Sequence, residues 1–525
     1  MCDPSRAPVA GGRREGKVEM AKSGGSSRHL EVERKFDVTD GAVTPSFDGL
    51  SLITRADRLP TQSLEAVYFD TAGHELATRR ITLRRRTGGP DAGWHLKLPS
   101  GPDARTEIHA PLGPDSGAAE VPGELIDVVA AVVRGRPLVP VARIATARDV
   151  TLLHGPDGTP LAEFCDDRVH AWCIDSQNSS TGTEQQWREW ELELVDAEAT
   201  GAHDILARLC NRLLDAGAVP AGHGSKLAKV LGDAAPQRSE PPSDPVHRAV
   251  AEQVERLLEW DRAVRADAYD SVHQMRVATR QIRSLLQAAE DAFGLTDDAW
   301  VLGELRELAA VLGTARDAEV LAERFARALD ELPAELVRGP VRERLVEGAR
   351  RRYQAGLRRS LTAMRSARYF RMLDALDGLV VTQPAPAEVD RPPASIASSY
   401  RKVRNATRAA RAAEGAAKDD ALHRIRKAAK RLRYVAAATG DAKVASRSKT
   451  IQTLLGDHQD SVVSQEHLLT QADAALAAGE DTFTYGLLYQ RETEQADRAR
   501  AQVDDALSEL RRTVREARRG GRASL

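Results

Sequence analysis

Glu31-Val32-Glu33-Arg34-Lys35 carries an acid, an acid and a base on alternate residues. In a β-strand alternate residues share one face, so Glu31, Glu33 and Lys35 point the same way. A strand packed on an apolar core does not put three charges on its buried side; the inner wall of a polar barrel does. The logic recurs downstream. Arg84 and Arg86 alternate, as do His95 and Lys97, Arg105 and Glu107, and Glu189, Glu191 and Glu193, while Asp167 is in phase with Glu163 and Cys165. A half-exposed antiparallel sheet with surface ion pairs explains any one of these strands. Five charged strands of differing sign, flanked by apolar alternates, put a charged tunnel beside it as an equal reading. Carboxylates take hard cations, and Arg and Lys take phosphate oxygens, so the two signs together suit a metal-bound polyanion.

Outward from this stretch, strands are predicted at 31–38, 64–70, 75–86, 93–98, 104–110, 141–153, 160–174 and 186–194. Gly/Pro/Asp turns separate them at 88–91 and 155–158, and a Ser/Thr/Asn run does so at 176–184. About eight strands suffice to close a small barrel. Helices are predicted at 123–134 and 202–216. Asp233–Pro245 reads as a linker by composition.

The whole chain has 525 residues, of which 42% are hydrophobic and 29% charged, a soluble globular profile too long for one core. Aromatics are 4%, so Leu, Val and Ala fill the interiors. Cys2, Cys165, Cys173 and Cys210 form no CxxC pair and read as reduced thiols packed in the cores of a cytoplasmic protein. No apolar run approaches the roughly 18 residues of a membrane span. Residues 1–28, rich in Gly, Ser and Arg, read as a disordered tail without a signal-peptide core, and Met20 as a candidate start. Residues 1–244 hold 28 Lys+Arg against 36 Asp+Glu, a net charge of -8; residues 245–525 hold 47 against 41, a net charge of +6. Local basic stripes on a nearly neutral chain favour specific anion sites over a general nucleic-acid coat.

From residue 246 to about 515 the apolar spacing becomes three and four, the mark of helices. Thr382–Pro393 splits this half into lobes at about 246–381 and 394–515, and 516–525 reads as a basic tail. His273, Arg276, Arg280 and Arg283 have spacing 0, 3, 7, 10, repeated 150 positions later by His423, Arg426, Lys430 and Arg433. Leu312-Gly313 with Asp317 recurs as Leu455-Gly456 with Asp460, 143 positions on. Two matches at nearly one offset indicate an internal duplication. Each stripe covers one helix face. Arg401, Arg404, Arg408 and Arg411 repeat the spacing. A lone stripe of this kind is ordinarily a solvated helix face; its duplication with the histidine argues for a linear anion. No second metal ligand stands at i+4 of either histidine, which excludes a metal there.

Glu31-Val-Glu-Arg-Lys35 resembles the ExExK motif of the CYTH, or triphosphate tunnel metalloenzyme, superfamily. Tyr68-Phe-Asp-Thr71, Leu83-Arg-Arg-Arg86, Trp94-His-Leu-Lys97, Arg105-Thr-Glu107, Glu189-Trp-Glu-Leu-Glu193 and Ser225-Lys226-Leu227 follow in family order, covering 29–232. The resemblance implies an eight-stranded antiparallel barrel with a through-going tunnel that binds triphosphates with Mg²⁺ or Mn²⁺. It implies metal ligands at Glu31, Glu33, Asp167, Glu189 and Glu191, with Asp167 preferred to Asp166 by its phase. It implies phosphate contacts from Lys35, Arg84, Arg86, Lys97, Arg105, Arg148 and Lys226, and a general base at Glu191 or another tunnel carboxylate. Relatives carry basic residues just before the position of Arg148; Ile144-Ala145-Thr146-Ala147 supplies none, though Arg143 precedes them. His95 is read as a strand-exposed histidine.

The stretches His273–Arg283 and His423–Tyr434 resemble the two repeats of a CHAD domain. This implies two pseudo-symmetric four-helix bundles whose basic groove binds inorganic polyphosphate through His273, Arg276, Arg280, Arg283, Arg401, Arg404, His423, Arg426, Lys427, Lys430 and Arg433. The expected protein is thus a multidomain α+β chain, a metal-dependent barrel hydrolysing tripolyphosphate or short polyphosphate and joined to a polyphosphate-binding helical domain. The alternatives are a non-catalytic polyphosphate-binding or granule-associated protein, and a nucleotide or thiamine triphosphatase or adenylate cyclase. The sequence shows no aromatic base-stacking signature for the last group. Nucleic acid is the less favoured polyanion, no membrane partner is expected, and the oligomeric state stays open.

Overall fold

The computed structural model describes residues 26–101, 103–113, 120–174, 181–232, 240–288, 293–295, 299–381, 396–414, 416–438 and 440–520. Contacts divide the chain into two compact units, Met1–Glu240 and Pro241–Leu525. The expected tail 1–28, linker 233–245, break 382–393 and tail 516–525 lie wholly or in part outside the described residues. At their margins a strand already begins at Ser27, a helix begins at Pro245, and the last helix runs to Gly520.

The first unit contains β1 (Ser27–Val38), β2 (Arg55–Arg58), β3 (Gln62–Asp70), β4 (Thr82–Thr87), β5 (Gly93–Pro99), β6 (Ala104–Ala110), β7 (Val139–His154), β8 (Pro160–Ile174), β9 (Thr181–Leu194) and β10 (Val219–Pro220). Eight of them pair antiparallel in the order β1-β6-β5-β4-β3-β7-β8-β9, and β9 returns to β1 to close a barrel. The opening stretch sits at the closure. His29 pairs with Glu107 and Glu31 with Arg105 on β6, then Glu33 pairs with Glu193 and Lys35 with Glu191 on β9. The strand thus changes partner in the middle of the charged motif. The short β2 and β10, beside β7 and β1, were not anticipated.

The apolar alternates face outward and are covered by helices. Val32, Phe36, Trp190 and Leu192 pack on Leu206, Leu209 and Leu213 of α3 (Ala202–Asp215). Leu83, Trp94, Leu96 and Ile108 pack on Leu125, Val129 and Val132 of α2 (Gly123–Val133). Burying apolar faces of this kind stabilises by roughly 25 cal/mol per Å². The charged alternates are left to the interior. The short α4 (Lys226–Leu231) sets Leu227, Val230 and Leu231 against Tyr68, Ala142, Ile144, Val169 and Ala171.

One predicted strand is corrected. Residues 75–86 are not continuous: Glu75–Thr78 forms a helical turn, α1, and the strand begins only at Thr82. Asp70, wholly buried, accepts hydrogen bonds from the backbone N–H of Thr71, Leu76 and Ala77 and so holds the turn shut. His74 and Arg80 bound it with positive φ, a left-handed backbone that breaks a strand. Leu76 and Ile81 on either side are fully buried, which mimics strand-like apolar content in the sequence.

The second unit is helical: α5 (Pro245–Arg265), α6 (Ser271–Ala288), α7 (Trp300–Asp330), α8 (Gly348–Met364), α9 (Ala367–Val381), α10 (Ile396–Arg411), α11 (Ala416–Ala438), α12 (Ala442–Ala477) and α13 (Phe483–Gly520). α10 to α13 form one bundle with its own core of Val403, Ile425, Leu432, Ile451, Leu455, Val503 and Leu510. In the other lobe α8 and α9 together stand where α13 runs unbroken, so the described residues of that lobe contain five α-helices. The long helices of the two lobes meet in a shared core of Phe325, Leu329, Leu345, Leu468 and Leu488.

Candidate functional site

The inward alternates of the barrel surround a cavity of about 360 Å³. Its lining includes Glu31, Glu33, Lys35, Arg84, Arg86, Lys97, Arg105, Arg148, Glu191 and Lys226. The lining is divided by charge. β1, β6, β8 and β9 contribute carboxylates, while β4 and β7 contribute Arg84, Arg86 and Arg148.

Lys226 enters from the first residue of α4, behind a Ser225 cap that accepts a hydrogen bond from Ala228 N–H. Its Nζ lies 2.8 Å from Asp167, 2.7 Å from Glu189 and 2.7 Å from Glu191. Lys35 Nζ bridges Glu33 at 2.7 Å and Glu191 at 2.5 Å. Arg148 grips Asp167 through Nε and Nη2 at 2.8 and 2.6 Å and also meets Glu191. Burial pushes the Lys226 pKa down, but Asp167, Glu189 and Glu191 outweigh it and hold the ammonium charged. Burial likewise pushes Glu191 up, and Lys226, Lys35 and Arg148 more than reverse this. For Glu33, Lys35 and Lys97 overcome burial and leave the carboxyl at about 2. Such buried charges persist only as a mutually paired set. Asp166, by contrast, is on the outer face, paired with Arg188 at 2.6 Å.

The arginines across the cavity are differently placed. Among the described residues no carboxylate lies within ion-pair distance of Arg84; its one hydrogen bond is to the Tyr68 hydroxyl, at 3.4 Å. Arg84 Nε and Arg86 Nε are buried without a hydrogen-bond partner. Burial, then Arg84 and Arg148, push the Arg86 pKa down, and Asp91 at the rim is its ion-pair partner. Arg105 lies at the edge of the lining, its guanidinium donating to the carbonyl of Gly224. Leu64, Ala66, Ile144 and Thr146 make an uncharged strip of wall. Arg143 does not compensate, because it is outside, bonded to Glu65.

Another end of the lining holds residues that sequence reasoning left aside. His29 Nε2 is 3.5 Å from Glu31 and 3.4 Å from Glu107, and hydrogen bonds to Glu107 and then Glu31 raise its pKa to about 10. Lys97 Nζ is 2.6 Å from Glu31. His95 is not strand-exposed: it is 2% exposed, inside the barrel. Its Nδ1 faces Glu107 at 2.5 Å and its Nε2 faces the Asp91 carbonyl at 3.0 Å. Burial, then Arg84 and Arg86, pull its pKa down to about 3. Glu193 is also inside, with its pKa raised to about 7, chiefly by burial. His29, Glu107 and Glu193 are in phase with Glu31, Arg105 and Glu191, so the alternation was the available signal. Cys165 shares that inward phase, beside Arg148 and Asp167, rather than the apolar core assigned to the cysteines; Cys210 is in the α3 core.

Of the five expected metal ligands, Asp167, Glu189 and Glu191 come together, with one oxygen of each within 4.8 Å of the others. Glu31 stands in a separate group with His29 and Glu107. Three buried carboxylates, which share the Lys226 ammonium, form an all-oxygen donor set of the kind Mg²⁺ and Mn²⁺ take. The residues therefore fit such an ion.

In the helical unit α6 and α11 bring their stripes together. The charges acting most on Lys430 are Arg280, Arg426, Arg433 and Arg276, and those lowering Arg280 after burial include Arg276, Arg426 and Arg283. Arg276 is 3.2 Å from Asp317. His273 is half-buried and His423 exposed, both with lowered pKa: burial leads, followed by Arg316 for His273 and by Lys427 and Arg426 for His423. Lys427 is exposed on α11. Arg401 and Arg404 are exposed on α10 and are not among the principal charges acting on Arg280 or Lys430. Among the described residues no helix is long and apolar enough to cross a membrane.

Known proteins match this arrangement in both units. The CYTH domain model matches residues 29–208 and the CHAD domain model residues 248–469. An uncharacterized protein of Mycobacterium tuberculosis (strain ATCC 25618 / H37Rv), Rv2226, is 61% identical over 506 residues, 94% of this chain and 98% of the relative. Among solved structures, PptA from Streptomyces chartreusis aligns at 19% identity and TM-score 0.42, over 51% of this chain and all of that one. The CHAD domain from the plant Ricinus communis aligns at 22% and 0.37, over 51% of this chain and 93% of that one. The chain belongs to the family of proteins in which a CYTH domain is followed by a CHAD domain.

Proposed function

We propose that the barrel hydrolyses the terminal phosphoanhydride of inorganic tripolyphosphate or short polyphosphate with Mg²⁺ or Mn²⁺, and that the helical unit binds inorganic polyphosphate. The observation that carries the first part is the cluster of Arg84, Arg86 and Arg148, in which Arg84 has no carboxylate within ion-pair distance among the described residues and feels Glu107 only from farther off. Guanidiniums crowded on one wall repel one another, and a bound phosphate relieves that repulsion through charge-assisted hydrogen bonds. Arg84, Arg86 and Arg148 hold the phosphoryl oxygens from one wall, with Lys35, Lys97, Arg105 and Lys226 around them. Asp167, Glu189 and Glu191 would hold the metal, while Glu31 stands apart with His29 and Glu107, and Glu33 pairs with Lys35. When bound, the ion supplies charge neutralisation and orients the attacking water. Glu191, gripped by three cations, suits a ligand better than a general base.

Phosphate release from tripolyphosphate with Mg²⁺ or Mn²⁺, against a Glu31→Ala/Glu33→Ala control, is the test; release no greater than the control defeats the hydrolase reading. One observation favours a barrel that only grips. Lys226 already neutralises the three carboxylates a metal needs. Tripolyphosphate binding without turnover would establish that reading. Competition by ATP against tripolyphosphate separates both from a nucleotide triphosphatase or cyclase. For the helical unit, the convergence of two arginine stripes suits a linear polyanion, and competition between polyphosphate and RNA discriminates the ligand.

A further inference from the structure

Lys430 stands among arginines. Its four strongest charged neighbours, Arg280, Arg426, Arg433 and Arg276, come from both α6 and α11. Among the described residues no carboxylate is within ion-pair distance of it. Its Nζ lies 5.7 Å from the centre of the Tyr434 ring, as does the Arg433 guanidinium, so the aromatic face is shared by two cations. Lys402, Lys443 and Lys449, in the same lobe, are exposed.

We propose that Lys430 is a site of covalent acylation by small acyl phosphates, and that this modification weakens the grip of the groove on polyanions; the second half rests on the polyphosphate-binding reading above. The free amine attacks the carbonyl carbon of R–CO–OPO₃²⁻. The new C–N bond forms, the C–O bond to phosphate breaks, and the amine proton leaves on the phosphate as HPO₄²⁻. No oxidant, reductant or further reactant is needed. The surrounding guanidiniums hold the dianionic phosphoryl group beside the amine and stabilise it as it departs. The product is a neutral amide where the cluster had a cation.

The same surroundings keep the amine available. Burial, then Arg280 and Arg426, lower the Lys430 pKa to about 8. At pH 7.5 such a group is roughly one-quarter free amine, against about one part in a thousand for an ordinary lysine. Its lower basicity offsets part of that gain, which leaves a rate advantage on the order of tenfold.

The test treats the full chain at pH 7.5 with acetyl phosphate, and separately with the neutral reagent N-acetoxysuccinimide, and follows each lysine by peptide mass spectrometry. Lys430 is expected to lead Lys402, Lys443 and Lys449, by a wider margin with acetyl phosphate than with the neutral reagent. Labelling of Lys430 by acetyl phosphate no faster than the exposed lysines overturns the proposal. Polyphosphate binding is measured calorimetrically on the same protein. Retained binding without preferential labelling sinks the acylation and leaves the groove; preferential labelling without binding keeps the acylation and sinks the groove. Lys430→Gln, which copies the neutral product, is expected to bind polyphosphate several-fold more weakly than Lys430→Arg. Equal affinities would overturn the regulatory half.

Discussion

Arg276 of α6 is seated over Gly313 of α7: a Cβ at Gly313 would come within 3.4 Å of the guanidinium carbon. The second lobe repeats this with Arg426 over Gly456, where the approach is 3.2 Å. The duplicated Leu-Gly elements therefore make room for the duplicated arginines. Gly313→Leu or Gly456→Leu is expected to leave the helices folded, since leucine is the better helix former, while displacing the arginine. Polyphosphate affinity should fall on the order of tenfold, the loss of one charge-assisted contact worth about 1.5 kcal/mol. Affinity unchanged in both variants would show that neither arginine needs its seat.

Two tunnel cations are expected to respond oppositely. Arg84 has no ion-pair partner among the described residues, its hydrogen bond there being to the Tyr68 hydroxyl, so Arg84→Met should cost little stability while lowering tripolyphosphate hydrolysis by about a hundredfold or more. Lys226→Met leaves Asp167, Glu189 and Glu191 short of their shared ammonium and should destabilise the barrel by about 3–5 kcal/mol. Mn²⁺ should then raise the melting temperature more in Lys226→Met than in the parent. Thermal melts with and without Mn²⁺ decide, and a destabilised Arg84→Met would count against its being poised for an anion.

Glu193 makes stability depend on pH in a stated direction. Its folded pKa, raised by burial to about 7, lies above the ordinary carboxylate value. A raised carboxyl binds more protons folded than unfolded, so its contribution is favourable at low pH and lost as pH rises from about 4.5 through 7. Glu193→Gln should therefore stabilise the barrel by about 3 kcal/mol at pH 8 and by almost nothing at pH 4. Denaturant melts at the two pH values check this; an equal effect at both would remove Glu193 as a titrating group.

The histidines of the helical unit predict proton uptake on binding. Burial first, and then nearby cations, hold His273 and His423 below the usual value, so both are neutral near pH 7. A bound polyanion favours the imidazolium, raising both. Polyphosphate affinity is accordingly expected to climb as pH falls from about 7.5 to 5.5, with protons taken up. Calorimetry in buffers of different ionisation enthalpy measures the uptake, which His273→Gln and His423→Gln should each reduce.

Much of this was legible before folding. That Glu31, Glu33 and Lys35 share one face follows from alternation alone, and so does the grouping of Asp167, not Asp166, with Glu163. Residues 75–86 misled because Leu76 and Ile81 are buried beside a turn held by Asp70, whose side chain bonds backbone N–H groups up to seven residues on and leaves no mark on the apolar pattern. His95 misled because one histidine on a charged strand reads the same whether its face is wet or enclosed.

The sequence by itself determined which residues share a face, because the periods of strand and helix are local properties of the backbone. It likewise determined the twofold repeat of the helical unit. Only the tertiary structure decided which charges meet. Glu31-Val32-Glu33-Arg34-Lys35 changes partner between β6 and β9 in mid-motif, which joins Glu31 to His29 and Glu107 but Lys35 to Glu191. Pairing between strands distant in the chain also left Arg84, among the described residues, with no carboxylate at ion-pair distance. That register is set by barrel closure and by the burial of outward apolar faces, a balance summed over the whole unit and not recorded in any one stretch.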